Sequence, residues 1–186
     1  DYSQLKAKRG FVFDSGGDPG EIIIQGPAQN KINAKFIGKE AHAGVAPEKG
    51  ISAIQMAAEA ISNMKLLRID EETTANIGII YGGEATNIVT KEVKIEGEAR
   101  SLSDEKLEKQ TEHMVKCCQA AAEKFGGQVE VHVENSYGAF KIDEKSEIVE
   151  KVKKACTNIG LTPHTTSSGG GSDTNILNAN GIEAVN

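Results

Sequence analysis

Residues 89–134 read VTKEVKIEGEARSLSDEKLEKQTEHMVKCCQAAAEKFGGQVEVHVE and contain the pattern on which the fold prediction depends. From Val93 to Ala99, apolar or small residues alternate with charged ones, which predicts a half-buried strand over residues 89–101. Ser103 can cap a helix whose apolar positions recur at helical spacing as far as Gly126 and Gly127. A second alternation over residues 129–134 predicts another strand. This stretch is therefore predicted to be a strand–helix–strand unit.

A similar unit precedes it in the chain. Residues 29–39 alternate with Ile32, Ala34 and Phe36 on one face, and residues 75–83 form another predicted strand. Between them lies a predicted helix with its apolar face at Ile51, Ile54, Ala58, Ile61 and Met64. The order strand, helix, strand, strand, helix, strand predicts an α+β, ferredoxin-like βαββαβ domain over residues 27–138, with both helices on one face of an antiparallel sheet.

The flanking segments follow a different pattern. Residues 10–13 predict a buried strand that ends in a tight loop at residues 14–20, and Ile22, Ile23 and Ile24 begin a second strand. Residues 145–159 predict a helix, followed by a Ser/Gly-rich loop, a short helix from about Asp173 and a terminal strand. A lone helix and strand cannot bury their own apolar faces, so residues 1–26 and 139–186 are expected to belong to one incomplete α/β domain of a larger protein.

Composition excludes several classes of function. The chain has 186 residues and a net charge of -6, and its basic residues form no cluster, which disfavours nucleic acid and membrane partners. An RNA-recognition module of this topology needs aromatic residues on the open sheet face, where only Phe36 and Tyr81 lie near the central strands. Three cysteines and no long apolar run predict a soluble cytoplasmic protein without disulfides.

Two residues lie where a side chain can serve a site. Asp14 ends an apolar strand at a glycine-rich turn, where it is either a turn-forming side chain or a metal ligand. His42 lies in a loop of small residues between a strand and a helix, so it is either a solvated histidine or one that approaches a ligand.

Three further positions allow the same two interpretations. Asn87 is either a turn residue or an amide that binds a ligand, and Arg100 forms either an ion pair with Glu96 or Glu98 or a fork for a substrate carboxylate. The Gly170, Gly171 and Ser172 loop leads into a helix N-terminus, which can bind an anion, but a Walker lysine and a dinucleotide fingerprint are both absent from the sequence.

Five motifs in this order resemble a known family. They are FVFDSGG at 11–17, GKEAHAGVAPEKG at 38–50, GGEATNIV at 82–89, GEARS at 97–101 and GGSD at 170–173. Together they resemble the dizinc metallopeptidases that include peptidase T, aminoacylase and acetylornithine deacetylase, and the peptidase T branch is the most similar. The resemblance covers essentially the whole chain.

The resemblance implies a role for each candidate residue. Asp14 is similar to a zinc ligand. His42 is similar to the histidine that reaches into the partner subunit's site and donates to the scissile carbonyl. Asn87, Arg100 and the Gly170–Ser172 loop are similar to substrate-binding positions. Residues 27–138 are similar to a lid domain that makes a homodimer.

The same resemblance implies a zinc-dependent exopeptidase that acts on short peptides and holds two zinc ions per site. The other ligands and the general base of the family find no match in the sequence, so the chain is expected to be an inactive fragment. Gly169 stands where peptidase T has arginine, so strict tripeptide specificity is not implied. The alternatives are an N-acyl-amino-acid deacylase and a non-catalytic dimerisation module.

Overall fold

The structure is a computed structural model that describes residues 4–186, and it divides into two compact units. The first unit consists of residues 4–29, 101–104 and 136–186, and the second consists of residues 30–100 and 105–135. Within the described residues, no helix is long and apolar enough to cross a membrane.

The secondary structure follows the predicted alternation of strands and helices. A short 3-10 helix at Pro47–Lys49 precedes the first α-helix. The strands are β1 (Arg9–Phe11), β2 (Glu21–Gly26), β3 (Ala28–Ile37), β4 (Ala41–His42), β5 (Leu67–Arg68), β6 (Thr73–Gly82), β7 (Ile88–Val89), β8 (Glu92–Ser101), β9 (Gln128–Tyr137), β10 (Phe140–Lys141), β11 (His164–Ser167) and β12 (Glu183–Val185). The helices are α1 (Ala53–Asn63), α2 (Asp104–Phe125), α3 (Glu147–Asn158) and α4 (Asp173–Ala179).

The second unit is built on a five-stranded sheet with the order β5-β6-β8-β3-β9. The short strand β5 is an addition outside the four predicted strands. Those four strands are β3, β6, β8 and β9 in chain order, so their order across the sheet is second, third, first, fourth, which is the ferredoxin-like arrangement. The predicted mixed fold is therefore confirmed.

Alternation along β3 and β8 produces the core of this unit. Ile32, Phe36 and Ile95 are each at most 1% exposed, while Lys31 and Lys94, on the other face, are exposed. Helix α2 lies close to the sheet at Gly97, since a Cβ at that position would lie 3.5 Å from the Met114 Cε atom. The sequence predicts an apolar face of α2 at Leu107, Met114, Cys118, Ala121 and Phe125, and it is confirmed at all but Phe125, which is only half-buried.

The predicted apolar face of α1 was wrong apart from Met64, which is buried at the end of the helix. The helix buries Ala53, Met56, Ala57 and Ala60, whereas Ile54 is 47% exposed. Small alanines allow a helix to approach closely, and the Met56 side chain lies where a Cβ on Gly127 would clash with it. The prediction chose the isoleucines as the buried face because residue hydrophobicity carries no information about how closely a helix can pack on a sheet.

The strand predicted over residues 89–101 is divided into β7 and β8. The carbonyl of Thr90 accepts a hydrogen bond from the Ala53 N–H, and that of Lys91 accepts one from the Gly38 N–H. The carbonyls of Thr90 and Lys91 therefore form hydrogen bonds outside the regular β-ladder. The break frees β7 to pair with β4, which places two of the candidate site residues.

The first unit joins its strands into one hydrogen-bonded layer. β1 pairs in parallel with β12, and β2 pairs with β11 in parallel and with β10 antiparallel. Ile23 and Asn186 exchange backbone hydrogen bonds of 2.7 and 3.2 Å, which connects the two sheets. A core of Ile22, Ile148, Val149 and Val185 lies between this layer and α3.

The strand predicted at residues 10–13 is less buried than its sequence suggests. β1 ends at Phe11, which is 49% exposed, and Phe13 is 95% exposed. The apolar sequence predicts a buried strand. Within the described residues, however, β1 pairs only with β12, Phe11 is half-exposed, and Phe13 lies beyond the end of the strand.

Replacing Phe36 with alanine is expected to lower the free energy of unfolding by about 3–5 kcal/mol, because the side chain is 0% exposed and its loss leaves a cavity. Leu67→Ala is a matched control in the same unit, where a 71% exposed side chain predicts a change within about 0.5 kcal/mol. Urea denaturation measures both. Equal effects of the two substitutions would contradict the assignment of the core.

Candidate functional site

The β4–β7 ribbon brings His42 and Asn87 together. Ala41 pairs with Val89 and His42 pairs with Ile88, and the Ala43 N–H donates a 2.8 Å hydrogen bond to the carbonyl of Asn87. Asn87 is the turn residue that precedes β7, so the backbones of these two residues lie close together. Two positions that lie 45 residues apart in sequence are thus brought to the same end of the ribbon.

The loop after His42 fixes the chemistry of its ring. The Gly44 N–H donates to the Nδ1 atom at 3.2 Å, so Nδ1 is an acceptor and the neutral ring carries its proton on Nε2. The His42 carbonyl accepts from the Val45 and Ala46 N–H groups, which tightens the turn. The exposed imidazole therefore presents an Nε2–H donor to whatever approaches it.

Arg100 lies on β8 and is held by a carboxylate of its own strand. Its Nε and Nη2 atoms donate to the two oxygens of Glu98 at 2.8 and 3.0 Å, and both side chains are partly buried. The guanidinium fork is thus already oriented. A substrate carboxylate would bind here by replacing or supplementing Glu98.

Within one copy of the second unit, Arg100 and the His42–Asn87 pair lie far apart. Arg100 is eight residues beyond Glu92, the start of β8, while the ribbon lies before that start. At ~3.3 Å per residue, this length of strand corresponds to about 26 Å. One small substrate cannot contact both ends of β8 in the same copy.

Asp14 follows β1 and is held by the last residue of the chain. The Asp14 N–H donates to the Asn186 Oδ1 atom at 3.0 Å, and the Asn186 Nδ2 atom donates to the Asp14 carbonyl at 3.0 Å. Because both bonds use the backbone of Asp14, its exposed carboxylate remains available to a ligand. Asp14 thus lies at the carboxyl ends of the parallel strands β1 and β12, where α/β sheets commonly bind ligands.

The glycine-rich loop is held by internal hydrogen bonds. The Gly170 N–H donates to the Ser168 Oγ atom at 3.0 Å, and the Ser172 N–H donates to the Asn175 Oδ1 atom at 3.0 Å. The N–H groups of Gly170 and Ser172 therefore already have acceptors and are not available to bind an anion. Gly171 is required by close approach, because a Cβ at that position would lie 2.2 Å from the ring of Tyr137.

The residues present do not form a metal site on their own. Among residues 4–186, no three histidine, cysteine, aspartate or glutamate side chains come together as a metal-binding group. The free cysteines do not compensate, since burial raises the pKa of the Cys118 thiol to about 12 and also raises the pKa of the Cys117 thiol. Asp14 could supply at most one ligand to a shared metal.

The sequence reasoning missed two residues that organise the candidate site. Asn186 forms two hydrogen bonds with the backbone of Asp14, and Asn175 holds the loop before α4. Asn175 had a detectable signal, because Ser172 and Asn175 stand three residues apart and form a capping box. The contact of Asn186 depends on strand pairing and could not be predicted from spacing, whereas the predicted ion pair between Arg100 and Glu98 is confirmed.

Comparison with known proteins identifies the second unit. A model of the peptidase dimerisation domain matches residues 25–126, which is more than half of the chain. The protein YqjE of Bacillus subtilis is 50% identical over 186 residues, covering 100% of this chain and 50% of that protein. Peptidase T of Listeria innocua is 28% identical over 191 residues and is covered to 46%. The chain thus spans about half the length of these relatives.

Two solved structures share both fold and sequence with the chain. An aminopeptidase PepT from Bacillus cereus superposes with a TM-score of 0.90 at 49% identity, covering 100% of this chain and 50% of that one. A tripeptidase from Staphylococcus aureus superposes with a TM-score of 0.94 at 45% identity, covering 100% and 49%. Together with the domain match, these likenesses show that the chain belongs to the family of peptidase dimerisation domains.

Proposed function

We propose that the chain supplies the dimerisation domain and part of the catalytic domain of a zinc-dependent exopeptidase that hydrolyses short peptides. Its relatives include proteins named peptidase T and a tripeptidase. The observation that carries the proposal is the β4–β7 ribbon, which holds a histidine with a defined donor nitrogen beside Asn87 within the matched domain.

In this proposal His42 acts as a hydrogen-bond donor to the substrate. Its Nε2–H donates to the scissile carbonyl oxygen, where negative charge develops as the carbonyl is attacked. Asn87 binds the substrate beside it, and Arg100 binds a terminal carboxylate. The Gly170, Gly171 and Ser172 loop contacts the substrate backbone.

The length of β8 makes this site a product of two copies. Because about 26 Å of strand separates the ribbon from Arg100, a peptide bound at Arg100 receives His42 and Asn87 from the partner copy. A homodimer is therefore a requirement of the proposed chemistry. The dimerisation domain would then complete the active site as well as joining two chains.

Strand β6 offers the surface for this dimer. Among residues 4–186, β5 pairs with this edge of β6 only at Thr74 and Ala75, so the rest of the edge is open. Along that edge Ile79, Ile80 and Tyr81 are 52%, 56% and 77% exposed. An open edge with contiguous apolar side chains is suited to pair with a second copy.

We assign residues 1–26 and 139–186 to the catalytic domain and residues 27–138 to the dimerisation domain. A cavity of about 750 Å³ in the first unit is lined by Phe11, Phe13, Cys156, Ile159 and their neighbours, and its apolar lining is suited to receive the remainder of a catalytic domain. Asp14 lines this same cavity and would supply one carboxylate to a zinc site completed by ligands from outside residues 4–186. By itself the chain is expected to be inactive, and it is expected to act in the cytoplasm.

Ile80→Lys is expected to raise the dissociation constant of the dimer at least tenfold, because it places a charge in an apolar edge-to-edge contact. Val133→Lys is the matched control, since Val133 is 40% exposed on β9 at the opposite edge of the sheet. Analytical ultracentrifugation measures both. A wild-type chain that remains monomeric at high concentration, or equal weakening by both variants, would contradict the β6 interface.

Replacing His42 with alanine is expected to lower kcat at least about 100-fold, because one donor to the developing oxyanion is lost. The measurement uses a chimera in which this chain replaces the aligned half of the Bacillus cereus aminopeptidase, assayed with tripeptides and with N-acyl amino acids. Its controls are the unmodified chimera and His132→Ala, which removes an exposed histidine on β9.

Bound zinc and dimer content should be the same in all three proteins. A His42→Ala chimera with unchanged kcat would exclude the donor role. A dimeric, zinc-loaded chimera that cleaves neither substrate class would contradict the proposed function as a whole.

A further inference from the structure

A single buried amide in the first unit connects three separate segments of the chain. Asn175, which is 1% exposed, donates from its Nδ2 atom to the Pro27 carbonyl at 2.9 Å and to the Gly138 carbonyl at 2.8 Å. Its Oδ1 atom accepts from the Ser172 N–H at 3.0 Å. These three bonds use both N–H donors and the oxygen of the side chain.

The partners of Asn175 lie in the glycine-rich loop and beside two places where the chain passes between the units. Pro27 precedes the point after Gln29 where the chain first leaves the first unit, and Gly138 follows the point at Ser136 where it returns for the last time. Ser172 belongs to the glycine-rich loop. One carboxamide therefore fixes the outgoing connection, the returning connection and the loop to each other.

A second contact reinforces the same connection. Tyr137, the neighbour of Gly138, packs so closely on Gly171 that a Cβ there would lie 2.2 Å from the Cζ atom of the tyrosine ring. The returning connection therefore contacts the loop through a side chain as well as through Asn175. The position of the loop depends on the position of that connection.

We propose that Asn175 is a positioning residue that sets the conformation of the Gly170, Gly171 and Ser172 loop from Pro27 and Gly138, which flank the first and last of the connections between the units. Its consequence for activity rests on the proposed function, in which this loop contacts the substrate. Without the two N–H donors, the carbonyls of Pro27 and Gly138 lose a buried partner and the connections are free to shift. The loop then loses its fixed position, and substrate binding weakens before the chemical step does.

Asn178, on the same helix, shows what a purely structural carboxamide does. Its Nδ2 atom donates to the Thr174 and Ala184 carbonyls at 2.9 Å each, and its Oδ1 atom accepts from the Ala184 N–H at 3.2 Å. The bonding pattern equals that of Asn175, but it ties α4 to β12 rather than to the connections. Asn178 is therefore a matched control.

The first test uses the chain itself and does not depend on catalysis. Asn175→Asp keeps the oxygen that accepts from Ser172 and removes both donors, and Asn178→Asp makes the equivalent change at the control position. Hydrogen exchange measured by mass spectrometry should be at least tenfold faster for peptides covering residues 134–140 and 168–173 in Asn175→Asp only. Asn178→Asp should accelerate exchange in residues 180–186 instead.

Asn175→Ala is the second variant, because it removes the same donors without placing a charge in a buried site. It should reproduce the exchange pattern of Asn175→Asp, which separates the loss of the donors from the effect of the charge. Unchanged exchange at both peptides in Asn175→Ala, or the same pattern in the Asn175 and Asn178 variants, would overturn the positioning role.

The second test measures kinetics in the chimera described above. Asn175→Ala should raise KM for a short peptide about tenfold and change kcat less than threefold, whereas Asn178→Ala should leave KM unchanged. Equal changes in KM for the two variants would overturn the effect on substrate binding. An inactive parent chimera would contradict the proposed function instead, and the exchange measurement would still decide whether Asn175 positions the loop.

Discussion

The rigidity and length of β8 limit which candidate residues one copy of the second unit can bring together. A hydrogen-bonded strand inside a sheet cannot fold back, so about 26 Å of strand lies between Glu92, where β8 begins after the ribbon, and Arg100. In the proposed function, one copy of this unit therefore supplies only part of the site. Pairing at the open edge of β6 is one way to bring two β8 strands into one assembly.

The long strands β3, β8 and β9 and helix α2 could be predicted from sequence because each has a single dominant periodicity. Ile32, Phe36, Val93 and Ile95 alternate with charged residues, and the pleat then determines which side is buried. The buried face of α1 could not be predicted in the same way, because the helix has two candidate apolar faces, one of isoleucines and one of alanines with Met56. Close packing on the sheet selected the smaller side chains, and residue hydrophobicity carries no information about that selection.

The sequence indicated individual candidate residues but not their arrangement. The motif around His42 indicated an exposed histidine, yet its pairing with Asn87 required β7 to separate from β8 at Thr90 and Lys91. Likewise, the sequence allowed Arg100 to be either an ion pair or a substrate fork, and the structure shows the ion pair with Glu98. The substrate role of Arg100 stays a proposal, since a second carboxylate would have to replace or supplement Glu98 at the guanidinium.

The two asparagines of α4 show why similar bonding can have different consequences. Each carboxamide satisfies two carbonyls and one N–H, so each removes a comparable number of unpaired polar groups from a poorly solvated region. All three side-chain hydrogen bonds of Asn178 lie within α4 or between α4 and β12. Asn175 instead joins segments that are 148 and 37 residues away in sequence, so its loss releases long stretches of chain from one another. The number of hydrogen bonds thus governs stability, and the separation of the joined segments governs what moves when the bonds are lost.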